Sequence, residues 1–391
     1  DDYFEKITQN SMPSLKDSLF LLHHPNKNEN LTQIEIFKHI SQQRLIIEEL
    51  ATHQLSLLKT KKARKSKTTN KFEIKNNLHD SLLNSLEFDL TDAQSRCIKE
   101  IHEDLSNTEP MLRLLQGDVG SGKTIVAVFS LIQAVENDFQ TAVMAPTEIL
   151  ARQHLQNFTE YLNPLNIQIA YLSGSQNTHE RKEQLELIES GKAKVIIGTH
   201  ALFQESVYFD NLSLVIIDEQ HKFGVHQRLS LSQKAKKTPH QLVMTATPIP
   251  RSLTMSAYAD LDTSVIDELP PGRQPVETVA LSNSRRDELI EKIRKISDEG
   301  RQIYWVCTLI EESDALRAES AEKTFNYLSS NLEDLKVVMI HGRLTKLEKE
   351  AIMKDFEQGK INLLVATTVI EVGVNVPNAS LMIVENSERL G

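Results

Sequence analysis

The sequence predicts an α/β fold, two tandem parallel-sheet domains preceded by a helical segment, and three observations predict it. Short apolar runs alternate with amphipathic stretches of helix length, as in a parallel sheet whose strands are buried on both faces under helices. The alternation breaks at DELPPGRQPVET (267–278), where three prolines and a glycine mark a hinge. A glycine-rich loop stands between a strand-like run and a helix-like run, as such sheets require at a ligand-binding edge. The predicted divisions are a helical segment over 1–75, a first sheet domain over 76–266 and a second over 267–391.

The amino-terminal zone is polar and helix-like. In QQRLIIEELATHQLSLLK (42–59), residues Leu45, Ile46, Glu49, Leu50, His53, Gln54 and Leu57 trace an imperfect stripe at helical spacing, which predicts one long helix lying on another element. The window 59–71 carries seven Lys or Arg and no acid. It reads either as a solvated linker or as a phosphate contact. In the first sheet domain the predicted strands are LRLLQ (112–116), TAVMA (141–145), IQIAY (167–171), KVIIG (194–198), LVIID (214–218) and QLVMT (241–245). In the second they are VETVA (276–280), QIYWVC (302–307), KVVMI (336–340), NLLVA (362–366) and SLMIV (380–384).

Composition narrows the class. A chain of 391 residues has room for two to three domains. Its 40% hydrophobic and 25% charged content is that of an ordinary globular protein. No apolar run reaches the length of a membrane span, and DDYFEKITQN has no signal-peptide pattern. The absence of an initiator Met is expected of a chain that begins inside a longer protein. Cys97 and Cys307 form no C-x-x-C pair, so neither a disulfide framework nor a zinc site is expected, and a reducing compartment is the default. The net charge of −10 argues weakly against nucleic acid, but such binding depends on where charge sits rather than on its sum.

LLQGDVGSGKTIVAV (114–128) is the most informative stretch. It holds G-x-x-x-x-G-K-T from Gly117 to Thr124, with Asp118, Val119, Gly120, Ser121, Gly122 and Lys123 between. Glycines let the backbone turn tightly and aim N–H groups at phosphate oxygens, and the following helix adds the positive end of its dipole. Lys123 can neutralise β/γ oxygens of ATP, and the Thr124 hydroxyl can ligate Mg²⁺. LVIIDEQH (214–221) supplies the acidic partner. Asp218 is expected near Mg²⁺ and Glu219 beside the attacking water. A solvated turn is the plainer reading of such a pair taken alone. Upstream, Gln94 in FDLTDAQ (88–94) can pair with the N6/N7 edge of adenine, although an exposed Gln more often has no such role.

GDVGSGKT, APTEILARQH (145–154), GTHALF (198–203), DEQHKFGVHQR (218–228), MTATPIPRSL (244–253), HGRL (341–344) and LLVATTVIEVGVNVPNAS (363–380) resemble the motifs of superfamily 2 helicases. Together with ELPPGRQPVET and VENSERLG, their wording is similar to the RecG family of bacterial branched-DNA helicases. The resemblance implies two RecA-like domains and an ATP- and Mg²⁺-dependent motor acting on forks and four-way junctions in repair and recombination. It implies that Thr147, Thr199, Arg343 and Thr367 touch DNA phosphates rather than bases, and that Thr245, Thr247 and His221 couple the nucleotide site to that face. Without the resemblance, each lone Thr reads as an ordinary strand-end hydroxyl. Gln227 and Arg228 match the family's pattern with no clear task. Further expectations are a monomer in the bacterial cytoplasm at the nucleoid, with a single-stranded-DNA-binding protein as a partner. Two departures stand out. Asn375 replaces an Asp expected near the ribose, and the chain stops before an arginine-bearing sixth motif, so the second domain is expected to be truncated and most of a preceding wedge domain absent. Two rival readings remain. One is the transcription-repair coupling translocase, whose second motif is similar. The other is a module that clamps DNA when ATP is bound but turns over poorly.

Overall fold

The structure is a computed structural model. It describes residues 12–25, 31–219, 234–247, 261–270, 276–308, 314–367, 376 and 378–389. The chain divides into two compact units, Asp1–Pro146 with Asn157–Pro271, and Thr147–Gln156 with Gly272–Gly391.

The first unit is built on a parallel sheet of seven strands. They are β1 (Leu112–Gly117), β2 (Gln140–Met144), β3 (Ile169–Leu172), β4 (Val195–Gly198), β5 (Leu212–Asp218), β6 (His240–Thr245) and β7 (Asp262–Ile266), in the order β3-β4-β2-β5-β6-β1-β7. Every residue of β2 and β4 is buried, because helices cover both faces of such a sheet. The polar edge strand β7 was not among the predicted strands. Asp262, Thr263 and Ser264 carry no apolar run, and Val265 and Ile266 alone do not reach strand length.

Helices α1 (Leu15–His23), α2 (Leu31–Glu35) and α3 (Ile40–Lys65) precede the sheet. α3 is the expected long helix, 26 residues in one piece. Its apolar positions do not form a buried seam, however, since Ile46, Leu50, Leu55 and Leu58 are exposed. The basic window begins in its last turns. Lys61 and Arg64 reach Asp262 on β7, at 2.7 and 4.0 Å, and Lys65 pairs with Glu109 at 2.9 Å.

The stretch after α3 is stitched to the floor of the sheet. Thr69 N–H donates to Thr108 O and Phe72 N–H to Leu105 O. Phe72 is fully buried between the rings of Phe139 and His240. Met111 N–H donates to His240 Nδ1 at 3.1 Å, so Nε2 carries the proton and donates to Asn70 O at 2.8 Å. Burial holds His240 in its neutral form, with its pKa lowered to about 4. Next comes α4 (Asn76–Ser85), and then α5 (Asp92–Leu105). α6 (Lys123–Glu136) follows β1 and is buried at every position from Ile125 to Ala134. α7 (Glu148–Leu162) follows β2, and α8 (Thr178–Glu189) follows β3.

The second unit carries a parallel sheet of four described strands, β8 (Gln302–Cys307), β9 (Val337–Ile340), β10 (Leu363–Thr367) and β11 (Ala379–Glu385), in the order β11-β8-β10-β9. Helices α9 (Arg286–Asp298), α10 (Asp314–Asn331) and α11 (Lys346–Glu357) accompany it. One core gathers Ile293, Ile303, Trp305, Leu328 and Leu363, and another gathers Tyr304, Phe356 and Leu364. The expected strand VETVA is corrected here. Residues 276–280 form no strand, and Val276 and Val279 are 83% and 62% exposed. Alternation alone does not make a strand where no neighbouring edge pairs with it.

Candidate active site

β1 ends at Gly117, and α6 begins six residues later at Lys123. The loop between them needs glycine twice, because Gly120 and Gly122 lie in the left-handed region with φ 74° and 88°. A Cβ at Gly117 would also strike the Ser121 side chain. Asp118 braces the turn by accepting from Val119 N–H at 2.7 Å through its carboxylate and from Ser121 N–H at 3.1 Å through its carbonyl. Lys123 Nζ folds back over the loop and donates to Gly117 O at 2.8 Å and Asp118 O at 2.9 Å. Thr124 stands half-buried in the first turn of α6. The hydroxyl of Ser121 is buried and has no hydrogen-bond partner among the described residues.

Strand register brings the acidic pair level with this loop. β6 lies between β1 and β5, with Gln116 opposite Thr245 and Asp218 opposite Met244. The tips of the three strands therefore form one edge at their carboxyl ends, where open α/β sheets bind ligands. Glu219 turns off this edge with φ 51°, a left-handed conformation that a non-glycine residue rarely adopts. Its N–H donates to Met244 O at 3.0 Å, and its carboxylate accepts from Ala246 N–H at 3.2 Å. Thr245 and Thr247 share a hydroxyl hydrogen bond of 2.8 Å. Glu219 and the T-A-T turn are thus joined through backbone groups that the sequence reading did not foresee.

Gln94, expected at adenine, lies against the phosphate loop. It is 2% exposed. Its Oε1 accepts from Thr91 N–H at 3.0 Å, and its Nε2 donates to Ser121 O at 2.9 Å. The two bonds tie the carboxamide to the cap of α5 and to the phosphate loop, and leave it one further lone pair and one further N–H. The signal was present in the sequence, since T-x-x-Q at 91–94 spells a capping box.

The residues expected along DNA follow strand ends. β2 leads through Pro146 to Thr147, whose hydroxyl accepts from Leu150 N–H at 3.4 Å. β4 ends directly before Thr199. In the second unit Ala366 pairs with Ile340, which brings Thr367 at the end of β10 near the turn after β9 that holds exposed Arg343. Thr199 and Thr367 are 2% and 4% exposed, and among the described residues neither hydroxyl has a hydrogen-bond partner. His221, Gln227, Arg228 and Asn375 lie outside the described residues.

Comparison with known proteins places these features. Residues 91–256 match the DEAD/DEAH box helicase family and 284–389 the helicase conserved C-terminal domain. The chain is 52% identical over 384 residues to the ATP-dependent DNA helicase RecG of Escherichia coli (strain K12), covering 97% of this chain and 55% of that protein. It is 43% identical over 386 residues to the RecG of Thermotoga maritima, covering 98% and 48%. A solved structure of RecG bound to a three-way DNA junction superposes with a TM-score of 0.81 at 39% identity, over 98% of this chain and 49% of that one. Over nearly its whole length the chain is similar to RecG proteins. It spans about half the length of the curated RecG proteins it matches. A structure of Mss116p bound to single-stranded RNA and AMP-PNP shares the fold, with a TM-score of 0.59 at 18% identity. The first helicase match begins at Thr91, the cap of α5, and the second begins at Ser284, two residues before α9.

Proposed function

We propose that this chain is an ATP-dependent DNA helicase and translocase that remodels branched DNA, stalled forks and four-way junctions, in repair and recombination. The observation that carries this reading is the phosphate loop lying level with Asp218 and Glu219 on one sheet edge, in a chain 52% identical to a RecG helicase. The residues fit a magnesium nucleotide. The glycine cradle admits no side chain at Gly117, Lys123 already spans the loop, and the buried Ser121 hydroxyl lacks a partner among the described residues. Among the described residues no three His, Cys, Asp or Glu gather into a dedicated metal site. Mg²⁺ would be held by Thr124 and Asp218 together with the phosphates, as is usual for this ion. When bound, it neutralises charge on the phosphates.

The protein's own groups do the rest. The loop N–H groups and the amino end of α6 fix the phosphates, and Lys123 exchanges its loop carbonyls for phosphate oxygens. Glu219, held by Ala246 N–H, orients the attacking water and takes its proton. Thr245, Thr247 and His221 link that turn to the DNA face, where Thr147, Thr199, Arg343 and Thr367 meet backbone phosphates. Phosphate contacts suit an enzyme that moves along any sequence. The same reading makes the working species a monomer in the bacterial cytoplasm at the nucleoid, with a single-stranded-DNA-binding protein among its partners. Release of a labelled strand from a four-way junction tests the proposal. Release is expected with ATP and Mg²⁺ and not with a non-hydrolysable analogue. No release under either condition, or equal release under both, contradicts it.

A further inference from the structure

We propose that Arg286 and Glu385 are positioning residues of the second unit. Their ion pair takes the place that a nucleotide takes in the first unit, and it sets the edge carrying Thr367 for DNA without ATP. This rests on the reading above, in which Lys123 and Asp218 serve the nucleotide and Thr367 meets DNA.

The second sheet repeats part of the first. Strands β2 to β5 lie in the order β3-β4-β2-β5, and strands β8 to β11 in the order β9-β10-β8-β11. The helices ahead of them correspond as well. α6 ends at Glu136 and β2 opens at Gln140, while α9 ends at Asp298 and β8 opens at Gln302. Both opening glutamines are buried, and each donates twice to a turn between a helix and a strand. Gln140 Nε2 reaches Ile188 O and Ala193 O at 2.8 and 2.9 Å, and Gln302 Nε2 reaches Phe356 O and Ile361 O at 2.6 and 2.7 Å.

Register then fixes the counterparts. Met144 lies opposite Ile217, and Val306 opposite Val384. Next along each strand come Asp218 and Glu385. After them come Glu219 and Asn386, which share a left-handed backbone at φ 51° and 53°. At the start of the paired helices, Lys123 corresponds to Arg286. Met144 also stands opposite Gly198, and Val306 opposite Ala366, so Thr199 corresponds to Thr367.

In the second unit the counterparts of the nucleotide residues bind one another. Arg286 reaches the Glu385 carboxylate at 3.0 Å. Arg and Glu are longer than Lys and Asp, so they can meet where the first unit leaves room for phosphate and metal. The guanidinium lies over the rings of Trp305 and Tyr327, at 5.2 and 4.8 Å. The other carboxylate oxygen accepts from Trp305 Nε1 at 3.1 Å, Thr324 Oγ1 at 3.2 Å and Cys307 Sγ at 3.7 Å. Glu385 thereby joins α9, β8 and α10 to the end of β11. Just past β8, the Thr308 hydroxyl donates to the carbonyls of Glu385 and Asn386. Cys307 stands opposite both Glu385 and Thr367, so the ion pair and the threonine assigned to DNA share one row of the edge.

Glu385→Gln keeps an acceptor for Trp305 and Thr324 but cancels the pair. Arg286→Met cancels it from the other side and keeps apolar cover on the rings, whereas Arg286→Lys retains the charge. Thermal midpoints are expected to fall in the first two, so activities are compared below both midpoints. The discriminating readout is the concentration of four-way junction DNA that half-stimulates ATP hydrolysis. It is expected to rise about 3- to 10-fold in Glu385→Gln and in Arg286→Met, and to stay within about twofold in Arg286→Lys. In all three, kcat at saturating DNA and affinity for an ATP analogue stay within about twofold. A merely structural role would lower kcat and leave the half-stimulating concentration in place. Acrylamide quenching of Trp305, the only tryptophan in the chain, is expected to be the same with and without the analogue. An unchanged half-stimulating concentration in both charge-cancelling variants overturns the proposal, and so does quenching that falls when the analogue binds. If DNA does not stimulate the unsubstituted protein, the DNA reading is refuted and this assignment with it.

Discussion

Glu219 holds a left-handed backbone in a turn where most residues would relax, and its carboxylate accepts from the Ala246 N–H. Strain of this kind costs on the order of 1–3 kcal/mol and persists only where the surroundings over-determine it. Lys123 has the opposite character, a flexible amine borrowing loop carbonyls. The two substitutions therefore fail differently. Lys123→Ala removes the main phosphate charge, and binding of a fluorescent ATP analogue is expected to be lost. Glu219→Gln keeps that binding, and its kcat is expected to fall about 10²- to 10⁴-fold, the usual loss of a general base. Preserved affinity in Lys123→Ala contradicts the assignment. Thr199 and Thr367 offer a cleaner separation of roles. Both hydroxyls are buried and have no partner among the described residues, which is unfavourable unless something else meets them. Thr199→Val and Thr367→Val are expected to leave the thermal midpoint unchanged or raised, yet to lower stimulation of ATP hydrolysis by DNA. An undiminished response to DNA returns both to ordinary strand-end hydroxyls.

Among the elements, those buried on both faces were legible, because burial writes itself as apolar runs. β2, β4 and β5 fall within a residue or two of their predicted places. The two failures have a common cause. β7 is polar because it closes an edge, whereas VETVA alternates yet stays exposed because nothing pairs with it. Pairing is a tertiary fact that a single segment does not encode. Of the candidate site, the loop and its acidic partner could be read from spacing. The backbone bonds that join Glu219 to the T-A-T turn could not, since backbone groups carry no sequence signature. The basic window shows another limit. Its Lys61, Arg64 and Lys65 are engaged with Asp262 and Glu109, which favours a strut between α3 and the sheet floor over a free phosphate contact.

That floor carries a pH dependence. Burial lowers the pKa of His240 and of His102 to about 4, while an unfolded histidine titrates near 6.5. Between those values the unfolded chain binds more protons, so stability is complete above about pH 6.5 and falls as pH drops toward 4. Each histidine is expected to cost roughly 2 kcal/mol by pH 5. Urea unfolding of the protein at pH 7.5, 6 and 5 checks this, and His102→Gln is expected to flatten the slope. A denaturation midpoint that does not move with pH contradicts it.

At the scale of the whole molecule, a net charge of −10 is compatible with the proposed DNA substrate, because such binding depends on where charge sits. In the proposed reading, binding relies on a few strand-end groups on each sheet. Both units carry a carboxyl edge with residues assigned to DNA, and the first also carries the nucleotide site, so ATP turnover is expected to depend on DNA. Steady-state ATP hydrolysis, measured without DNA and with single-strand, duplex, fork and four-way junction DNA, tests this most directly. The account predicts a low basal rate, stimulation by DNA, and no stimulated rate in Glu219→Gln. A rate that is the same with and without every DNA, or one that survives Glu219→Gln, would contradict it.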